Sequence, residues 1–233
     1  LHYVITNGGL APNIVPADAE VWYYARAPHD AELADLWRRL VKVAKGAAMM
    51  TETEVSYELL GGCYNTLANQ VLNKVLEDNL LSFAGPVHFD EQDMKFAKEI
   101  QASVSKTLID AAHRKLPLKE GEGLLAATPM PCFDSGSFMM GSTDVGDVAN
   151  IMPTSMFWSV CSPVGVPFHS WQSTACAGSA IGLKGAVQAA KTLAGAIYDL
   201  ASDDGSLIRK AKDELVAKRK GVPYRPIEQL LED

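Results

Sequence analysis

One histidine, His169, has the side chain best suited to chemistry in this sequence. It lies in Gly165-Val166-Pro167-Phe168-His169-Ser170-Trp171, between an apolar run and a long segment rich in small residues. Imidazole is a common metal ligand, but a catalytic metal takes about three protein ligands, and the chain contains neither H-x-H nor H-E-x-x-H. A ligand role and a structural role, with the ring packed between Phe168 and Trp171, are both open on this pattern.

A second candidate is the loop Gly141-Ser142-Thr143-Asp144-Val145-Gly146-Asp147, which is dense in hydroxyls, carboxylates and glycine. Its backbone N–H groups and the Thr143 hydroxyl could bind an anionic substrate or an oxyanion. Turns use the same residue types for backbone reasons. A plain turn with an aspartate cap is therefore the alternative interpretation.

A third candidate is the long connection Asn7-Gly8-Gly9-Leu10-Ala11-Pro12-Asn13-Ile14-Val15-Pro16. Its glycines permit positive φ, and its prolines stiffen a connection longer than a hairpin needs. Asn13 could donate hydrogen bonds to a carboxylate, and Arg26 could supply a bidentate ion pair. A stiff structural loop with a surface arginine fits the pattern equally well.

The elements that must position these residues begin with an α+β unit. Strand-like runs at 1–6 and 20–26 precede a helical repeat of apolar residues at 33–44, and strict alternation at 52–59 predicts a half-buried strand. The order strand, strand, helix, strand is most of a split β-α-β fold. Gly61-Gly62 marks a turn, and we place a domain boundary there.

The remainder of the chain is predicted to alternate helices and apolar strands. Helices are expected from about 67 to 85, 90 to 113, 173 to 201 and 206 to 219, and strands near 124–133 and 155–161. This alternation indicates an α/β layer structure. It would place His169 beyond the carboxyl end of the strand 155–161, where α/β proteins bind ligands.

Composition excludes several classes of protein and partner. The chain has 233 residues, 48% of them hydrophobic, and a formal net charge of −7, which argues against a nucleic-acid partner. Its four cysteines never form C-x-x-C, so we expect a reduced, cytoplasmic setting. No apolar run is long enough for a bilayer, so no membrane partner is expected. The chain opens directly in a strand-like run without a signal peptide, so we expect it to be a piece of a longer protein.

Read in order, the candidate segments resemble the dinuclear-metal amidohydrolases of the aminoacylase and carboxypeptidase G type. The resemblance rests on Thr6-Asn7-Gly8-Gly9, Pro12-Asn13-Ile14-Val15-Pro16, Tyr24-Ala25-Arg26, Gly141-Ser142-Thr143-Asp144 and Pro167-Phe168-His169. It runs essentially the whole length of the chain. The ordered set is much more specific than any single segment.

The resemblance implies an α/β fold in two parts. Residues 1–61 would be the later part of a ferredoxin-like (α+β) lid that mediates dimerisation, and residues 62–233 the later half of a layered α/β metallohydrolase catalytic domain. A homodimer through the lid is expected, with a second subunit type also open.

The resemblance also implies site roles. His169 matches the last ligand of a site for two divalent metal ions, zinc or manganese. Asn13 and Arg26 match lid residues that hold the substrate carboxylate, and Thr143 with Asp144 matches a substrate-contacting loop.

The activity implied is hydrolysis of the amide bond of an N-acyl or N-aroyl amino acid such as p-aminobenzoyl-glutamate. In the family the metals activate a water while a glutamate moves the proton. The family's H-x-D pair, bridging aspartate and Glu-Glu pair, which includes that glutamate, have no counterpart here. No catalytic residue is therefore assigned, and the chain alone is expected to be inactive. A dipeptidase of the same family and a non-catalytic assembly protein are the alternatives.

Overall fold

The computed structural model describes residues 1–133 and 141–232, and these fall into two compact units. Among the described residues, the first unit contains 1–66, 141–151 and 222–232, and the second contains 67–133 and 152–221. The two domains expected from the resemblance, 1–61 and 62–233, remain a prediction, because a grouping by contacts does not test which part is lid and which is catalytic.

Strands and helices alternate little in the described part of the chain, since the two strands found there lie at its beginning. In chain order they are β1 (His2–Asn7), β2 (Glu20–Tyr24), α1 (Asp30–Thr51), α2 (Gln70–Asp78) with a π-helical continuation (Asn79–Ala84), α3 (Glu91–Ala102), α4 (Lys106–Lys115), α5 (Val145–Ile151), α6 (Trp171–Ala177), α7 (Ala180–Ser202), α8 (Ser206–Arg219) and α9 (Ile227–Glu232). About half of the chain is helical, beside a two-stranded sheet. This composition is compatible with an α/β protein. The layered metallohydrolase arrangement and the ferredoxin-like lid remain predictions.

Strands β1 and β2, which fall on the two strand-like runs predicted from the sequence, form an antiparallel pair. His2 pairs with Tyr24, and the register shifts between Ile5 and Asn7. The aromatic ring of Tyr3 lies 5.7 Å from that of Tyr23 across the pair. Such cross-strand aromatic contacts stabilise a two-stranded ribbon that would be marginal alone.

The predicted half-buried strand at 52–59 is wrong, and of its expected apolar face Thr53, Val55 and Tyr57 are exposed while Leu59 is half-buried. Helix α1 ends at Glu52 in a left-handed conformation, and the ring of Tyr57 packs edge-on against that of Trp37, with 5.7 Å between centroids. No strand among the described residues pairs with this segment. Side-chain alternation does not make a strand by itself, because a strand also needs a neighbouring backbone.

In the second unit, helix α2 is joined to α8 at its N-terminus. The Asn69 side chain accepts a hydrogen bond from the Leu72 N–H at 3.1 Å, as an N-cap, and donates to the Ala211 carbonyl at 2.9 Å. Glu214 accepts from the N–H groups of Gln70 at 2.8 Å and Val71 at 3.1 Å. Two of the free N–H groups of the first turn are therefore satisfied by one residue 144 and 143 positions away, and a third by the local cap.

Glu214 is held in its charged form at this joint. Burial raises its pKa, but the two backbone N–H groups and the ammonium of Lys218, 2.7 Å away, outweigh that effect, and the net shift of the pKa is downward. A carboxylate at a helix N-terminus also interacts favourably with the helix dipole. The joint is electrostatic as well as hydrogen-bonded.

Helices α3 and α7 are joined by a lysine. Lys184 of α7 contacts Asp90 at 3.0 Å and also bonds to Asp93, which is buried. Asp90 and Asp93 form a capping box at the start of α3. Ile181 and Ala97 pack with Leu125 in the apolar core beside this pair.

Two long helices predicted from sequence are each broken into two. The segment expected at 90–113 is interrupted after α3, where tight hydrogen bonds from Ser103 N–H to the Ile100 carbonyl (3.0 Å) and from Val104 N–H to the Gln101 carbonyl (2.9 Å) close the helix. The segment expected at 173–201 is interrupted at Ser179, which is extended and accepts from the Ile181 N–H at 3.2 Å. Serine competes for backbone donors in this way and restarts a helix.

The strands expected at 124–133 and 155–161 are also wrong. The Ala127 N–H donates to the Leu125 carbonyl at 2.9 Å, so the first run bends within three residues. The second run starts with a parallel bridge between Ala68 and Thr154, but the partner segment turns into helix α2 at its next residue, Asn69. Pairing therefore stops where it begins, and His169 does not follow a strand.

None of the described helices has the length and apolar composition needed to cross a bilayer.

Acid should weaken the fold through Asp203. Its pKa is lowered from 3.8 by hydrogen bonds, first from the Leu207 N–H (2.8 Å), at the start of α8. A carboxyl whose pKa is lower when folded adds stability above its unfolded pKa and loses it as pH falls through the folded value. We expect the free energy of unfolding to fall between about pH 5 and pH 2, and Asp203→Asn to flatten that slope. Urea titrations across this range measure it. An unchanged slope in the variant would contradict the assignment.

Candidate functional site

The loop between β1 and β2 is braced at its base and exposes Asn13. The Asn7 side chain donates to the Asp18 carboxylate at 2.8 Å, which closes the base of the loop. At the tip, the Ile14 N–H donates to the Ala11 carbonyl at 3.2 Å, and Asn13 lies exposed within this turn. The backbone is thus held while the Asn13 amide faces solvent.

Arg26 lies two residues beyond β2 and is half-buried. Its guanidinium carbon is 5.4 Å from the centre of the Tyr24 ring. This distance is typical of a cation–π contact, which orients the guanidinium.

Thr143 and Asp144 are exposed and form a local turn immediately before α5. The Thr143 hydroxyl donates to Asp144 Oδ1 at 3.2 Å and accepts from the Val145 N–H at 3.3 Å. The Asp144 carbonyl accepts from the Asp147 N–H at 3.0 Å. These are the contacts of an ordinary serine/threonine turn, so the geometry fits the turn interpretation and does not exclude substrate contact.

The segment behind this turn is fixed by a cluster that the sequence analysis missed. Asp147 accepts from the Tyr64 N–H at 3.4 Å and from the Tyr224 hydroxyl at 2.9 Å, and the Tyr64 and Tyr224 rings lie 5.7 Å apart. The bond to Asp147 raises the pKa of Tyr224. Asn150 donates to the Asn65 carbonyl at 3.2 Å. These partners are about 80 positions apart, so no local sequence signal could have identified them.

His169 is exposed and has a left-handed backbone, with φ of 58°. A non-glycine residue in this region is strained unless its surroundings impose it. Here the next residue fixes the turn, because the Ser170 hydroxyl donates to the Pro167 carbonyl at 2.7 Å and accepts from the Ser173 N–H at 3.2 Å, capping α6. The loop thus presents His169 to solvent, and the imidazole is not enclosed between Phe168 and Trp171.

Three aromatic side chains, two of them within two positions of His169 in the sequence and one eleven positions before it, are exposed. The rings of Trp158 and Phe168 are 5.6 Å apart at an interplanar angle of 30°. Trp158 is 65% exposed, Phe168 67% and Trp171 63%. This apolar surface was not predicted as part of the site.

The described residues do not form a metal centre by themselves. No group of three or more His, Cys, Asp or Glu side chains among them could hold a metal ion. His169 belongs to the second unit, and the four expected substrate-binding residues, Asn13, Arg26, Thr143 and Asp144, belong to the first. The ligand role of His169 therefore stays a prediction.

Comparison with known proteins gives a likeness over nearly the whole chain. The chain is 35% identical to a subunit of the p-aminobenzoyl-glutamate hydrolase of Escherichia coli over an alignment 236 positions long. The alignment covers 96% of this chain and 49% of that relative. It is 38% identical over 82 residues to the human Xaa-Arg dipeptidase and 35% identical over 80 residues to the mouse one, each covering 34% of this chain.

The dipeptidase matches cover 18% and 19% of those proteins. This chain therefore spans about half the length of the bacterial relative and aligns with about a fifth of the dipeptidases. No family model and no solved structure matches it. The three relatives are hydrolases of amide bonds by name, and the resemblance of this chain to the amidohydrolase and peptidase family is thereby confirmed.

Proposed function

We propose that this chain is part of a metal-dependent amidohydrolase that cleaves p-aminobenzoyl-glutamate or a related N-acyl or N-aroyl amino acid. The observation that carries the proposal is the 35% identity to the p-aminobenzoyl-glutamate hydrolase relative over 96% of the chain. The two shorter matches are to Xaa-Arg dipeptidases. By that name, their substrates also carry an amino acid on the carboxyl side of the bond that is cleaved.

Within this proposal, Arg26 and Asn13 bind the substrate carboxylate. The guanidinium of Arg26 is oriented by the Tyr24 ring, and an oriented guanidinium loses less entropy on forming a bidentate pair. Asn13 is exposed on a braced loop, which suits a second hydrogen bond to the same group. Thr143 and Asp144 would contact the substrate from the exposed turn before α5.

His169 contributes one ligand to a site for two divalent metal ions, zinc or manganese, in this proposal. Its exposure and its strained backbone support a presented ligand. The remaining ligands and the general base would come from outside the described part of the chain. The 233-residue chain alone should then neither bind metal tightly nor turn over substrate.

We also propose a homodimer formed through residues 1–61. Assembly with a second subunit type is the alternative, since the bacterial relative is itself named as a subunit. The reduced cytoplasm is the proposed location. All four cysteines are free in the structure, which supports it.

The direct test is hydrolysis by the intact protein loaded with zinc or manganese. Release of glutamate from p-aminobenzoyl-glutamate is expected, and the 233-residue chain serves as the control that should release none. Release from neither preparation, with the intact protein folded and metal-loaded, would defeat the proposal and favour the assembly-protein alternative.

Replacing Arg26 with alanine should raise KM for substrates whose amino acid is glutamate, because Arg26 is proposed to bind the substrate carboxylate. The guanidinium would no longer pair with a carboxylate, a charge-assisted contact of about 1.5–3 kcal/mol, so KM should rise roughly tenfold or more with a smaller change in kcat. Arg26→Lys keeps the positive charge but loses the two parallel N–H donors of the guanidinium. Its KM should lie between those of the unchanged protein and of Arg26→Ala. Equal KM changes for acidic and neutral substrates would contradict this role.

A second candidate function is dipeptide hydrolysis. The likeness to the Xaa-Arg dipeptidases over 34% of the chain favours it. Assaying dipeptides with a carboxyl-terminal arginine beside p-aminobenzoyl-glutamate distinguishes the two, because the dipeptidase hypothesis requires the larger kcat/KM for the dipeptide.

A further inference from the structure

We infer that Tyr224 is a positioning residue, whose hydroxyl holds the turn of Thr143 and Asp144 in place through Asp147 and thereby sets how tightly that turn binds substrate. The contact of the turn with substrate rests on the proposed function. The hold of Tyr224 on the turn does not, and it can be measured without turnover. All four residues belong to the first unit.

The turn is hydrogen-bonded through its backbone to the start of α5. The Thr143 carbonyl accepts from the Gly146 N–H at 3.1 Å. The Asp144 carbonyl accepts from the N–H groups of Asp147 at 3.0 Å and Val148 at 3.3 Å. The turn thus supplies acceptors for N–H groups that a helix leaves free at its start. A change in the position of Asp147 would therefore be passed on to the turn.

The carboxylate of Asp147 is held from two sides. Its Oδ1 accepts from the Tyr224 hydroxyl at 2.9 Å, and its Oδ2 accepts from the Tyr64 N–H at 3.4 Å. The bond from Tyr224 is the shorter one, and hydrogen bonds to an ionised acceptor are stronger than those between neutral groups. Of these two bonds, the one from Tyr224 therefore holds Asp147 more tightly.

The ring of Tyr224 is fixed by packing that does not involve its hydroxyl. It lies 5.7 Å from the Tyr64 ring at an interplanar angle of 52°. Three residues further on, Ile227 is 1% exposed and packs so closely on Gly62 that a Cβ there would overlap it. Removing the hydroxyl should therefore leave the ring in place, which separates the hydrogen bond from the packing.

The end of α5 has an anchor of its own. The Asn150 side chain donates to the Asn65 carbonyl at 3.2 Å and to the Gly146 carbonyl at 2.9 Å, and it is buried. Loss of the bond from Tyr224 should thus loosen the start of the helix while Asn150 keeps its end in place. The expected effect is local to the turn.

A loosened turn should bind substrate more weakly and leave the chemical step nearly unchanged. Thr143 and Asp144 are exposed and are proposed to contact substrate, whereas His169, the proposed metal ligand, belongs to the other unit. Ordering a mobile segment on binding costs entropy, so a turn that is held in advance binds more tightly. KM should therefore respond to Tyr224 more than kcat does.

Replacing Tyr224 with phenylalanine in the 233-residue chain tests the hold directly, because it removes the hydroxyl and keeps the ring. Amide hydrogen exchange followed by NMR should become about tenfold faster at Asp147 and Val148, as expected when a hydrogen bond to a charged group is lost. The matched control is Tyr57→Phe, since Tyr57 belongs to the same unit and also packs at 5.7 Å on an aromatic ring. In that variant the two exchange rates should not change.

Unchanged exchange at both amides in a folded Tyr224→Phe variant would overturn the inference. An equal acceleration across the whole first unit would overturn it as well, because it would report a general loss of stability. In an Asp147→Ala background, Tyr224→Phe should have little further effect on exchange at Val148, since its acceptor is gone. An undiminished effect there would show that Tyr224 does not act through Asp147.

The intact hydrolase supplies the readout that rests on the proposed function. Tyr224→Phe should raise KM for p-aminobenzoyl-glutamate about three- to tenfold with a smaller change in kcat, and Tyr57→Phe should change neither. Turnover with an unchanged KM would remove the positioning role and leave the proposed function standing. Locally faster exchange in an intact protein that hydrolyses no amide would defeat the proposed function and leave the hold of Tyr224 on the turn.

Discussion

The intact hydrolase with His169 replaced by alanine should lose one metal ion per protomer and most of its activity. Under the proposed function His169 is a direct ligand, and changing residues that only support a ligand already lowers affinity or activity about 10- to 100-fold. A loss larger than about 100-fold in kcat is therefore expected. Metal analysis of the purified protein, together with kcat at saturating metal, measures both effects.

Backbone conformation must be separated from ligation in this experiment, because His169 has φ of 58°. Asparagine tolerates this conformation better than most residues, so His169→Asn should fold normally and still lose the metal. His169→Gly should relieve the strain and gain about 1 kcal/mol of stability without regaining activity. Full metal occupancy with an unchanged rate in either variant would refute the ligand assignment.

Replacing Gly146 with alanine should destabilise the first unit by about 3 kcal/mol, at the upper end of the usual effect of overpacking. A Cβ at this position would stand 1.9 Å from the carbonyl oxygen of Tyr64 and 2.8 Å from its carbon. Neither atom belongs to a flexible side chain, so the backbone near Tyr64 would have to move. That movement would also break the bond from the Tyr64 N–H to Asp147.

Gly46 provides the matched control, since it also lies within a helix but has open space around it. Gly46→Ala should stabilise the protein by about 0.5–1 kcal/mol, because alanine has the higher helix propensity. Chemical denaturation of both variants gives the comparison. Equal changes of either sign would show that close contact at Gly146 is not the determining factor.

Local signals in the sequence were sufficient for single helices. Helix α8 has the expected bounds, Ser206–Arg219, and it begins after Gly205 and ends at Lys220, both left-handed. The breaks before α4 and α7 were missed, although a Gly178-Ser179 pair in the sequence is a recognisable stop and restart. The apolar periodicity continued across them, and it was given more weight than the caps.

Strands could not be predicted as well, because pairing depends on distant backbone. The apolar run at 155–161 was interpreted as a strand, and half-buried Phe157 and Ser159 do alternate there with exposed Met156 and Trp158. It carried no information on whether a partner strand lies alongside. The candidate site shows the same limit. Arg26 and His169 could be selected by residue type and order in the sequence, whereas the contact of Asp147 with Tyr224 could not, because it joins positions 77 apart.

The joint between α2 and α8 has a consequence for synthesis. Glu214 completes the first turn of a helix that begins at Gln70, 144 positions earlier. A ribosome adds about 5–20 residues per second, so α2 leaves it several seconds before its partner is made. During that interval Asn69 is the cap that α2 has available from its own neighbourhood, and chains shortened before position 214 would keep the helix in that half-capped condition permanently.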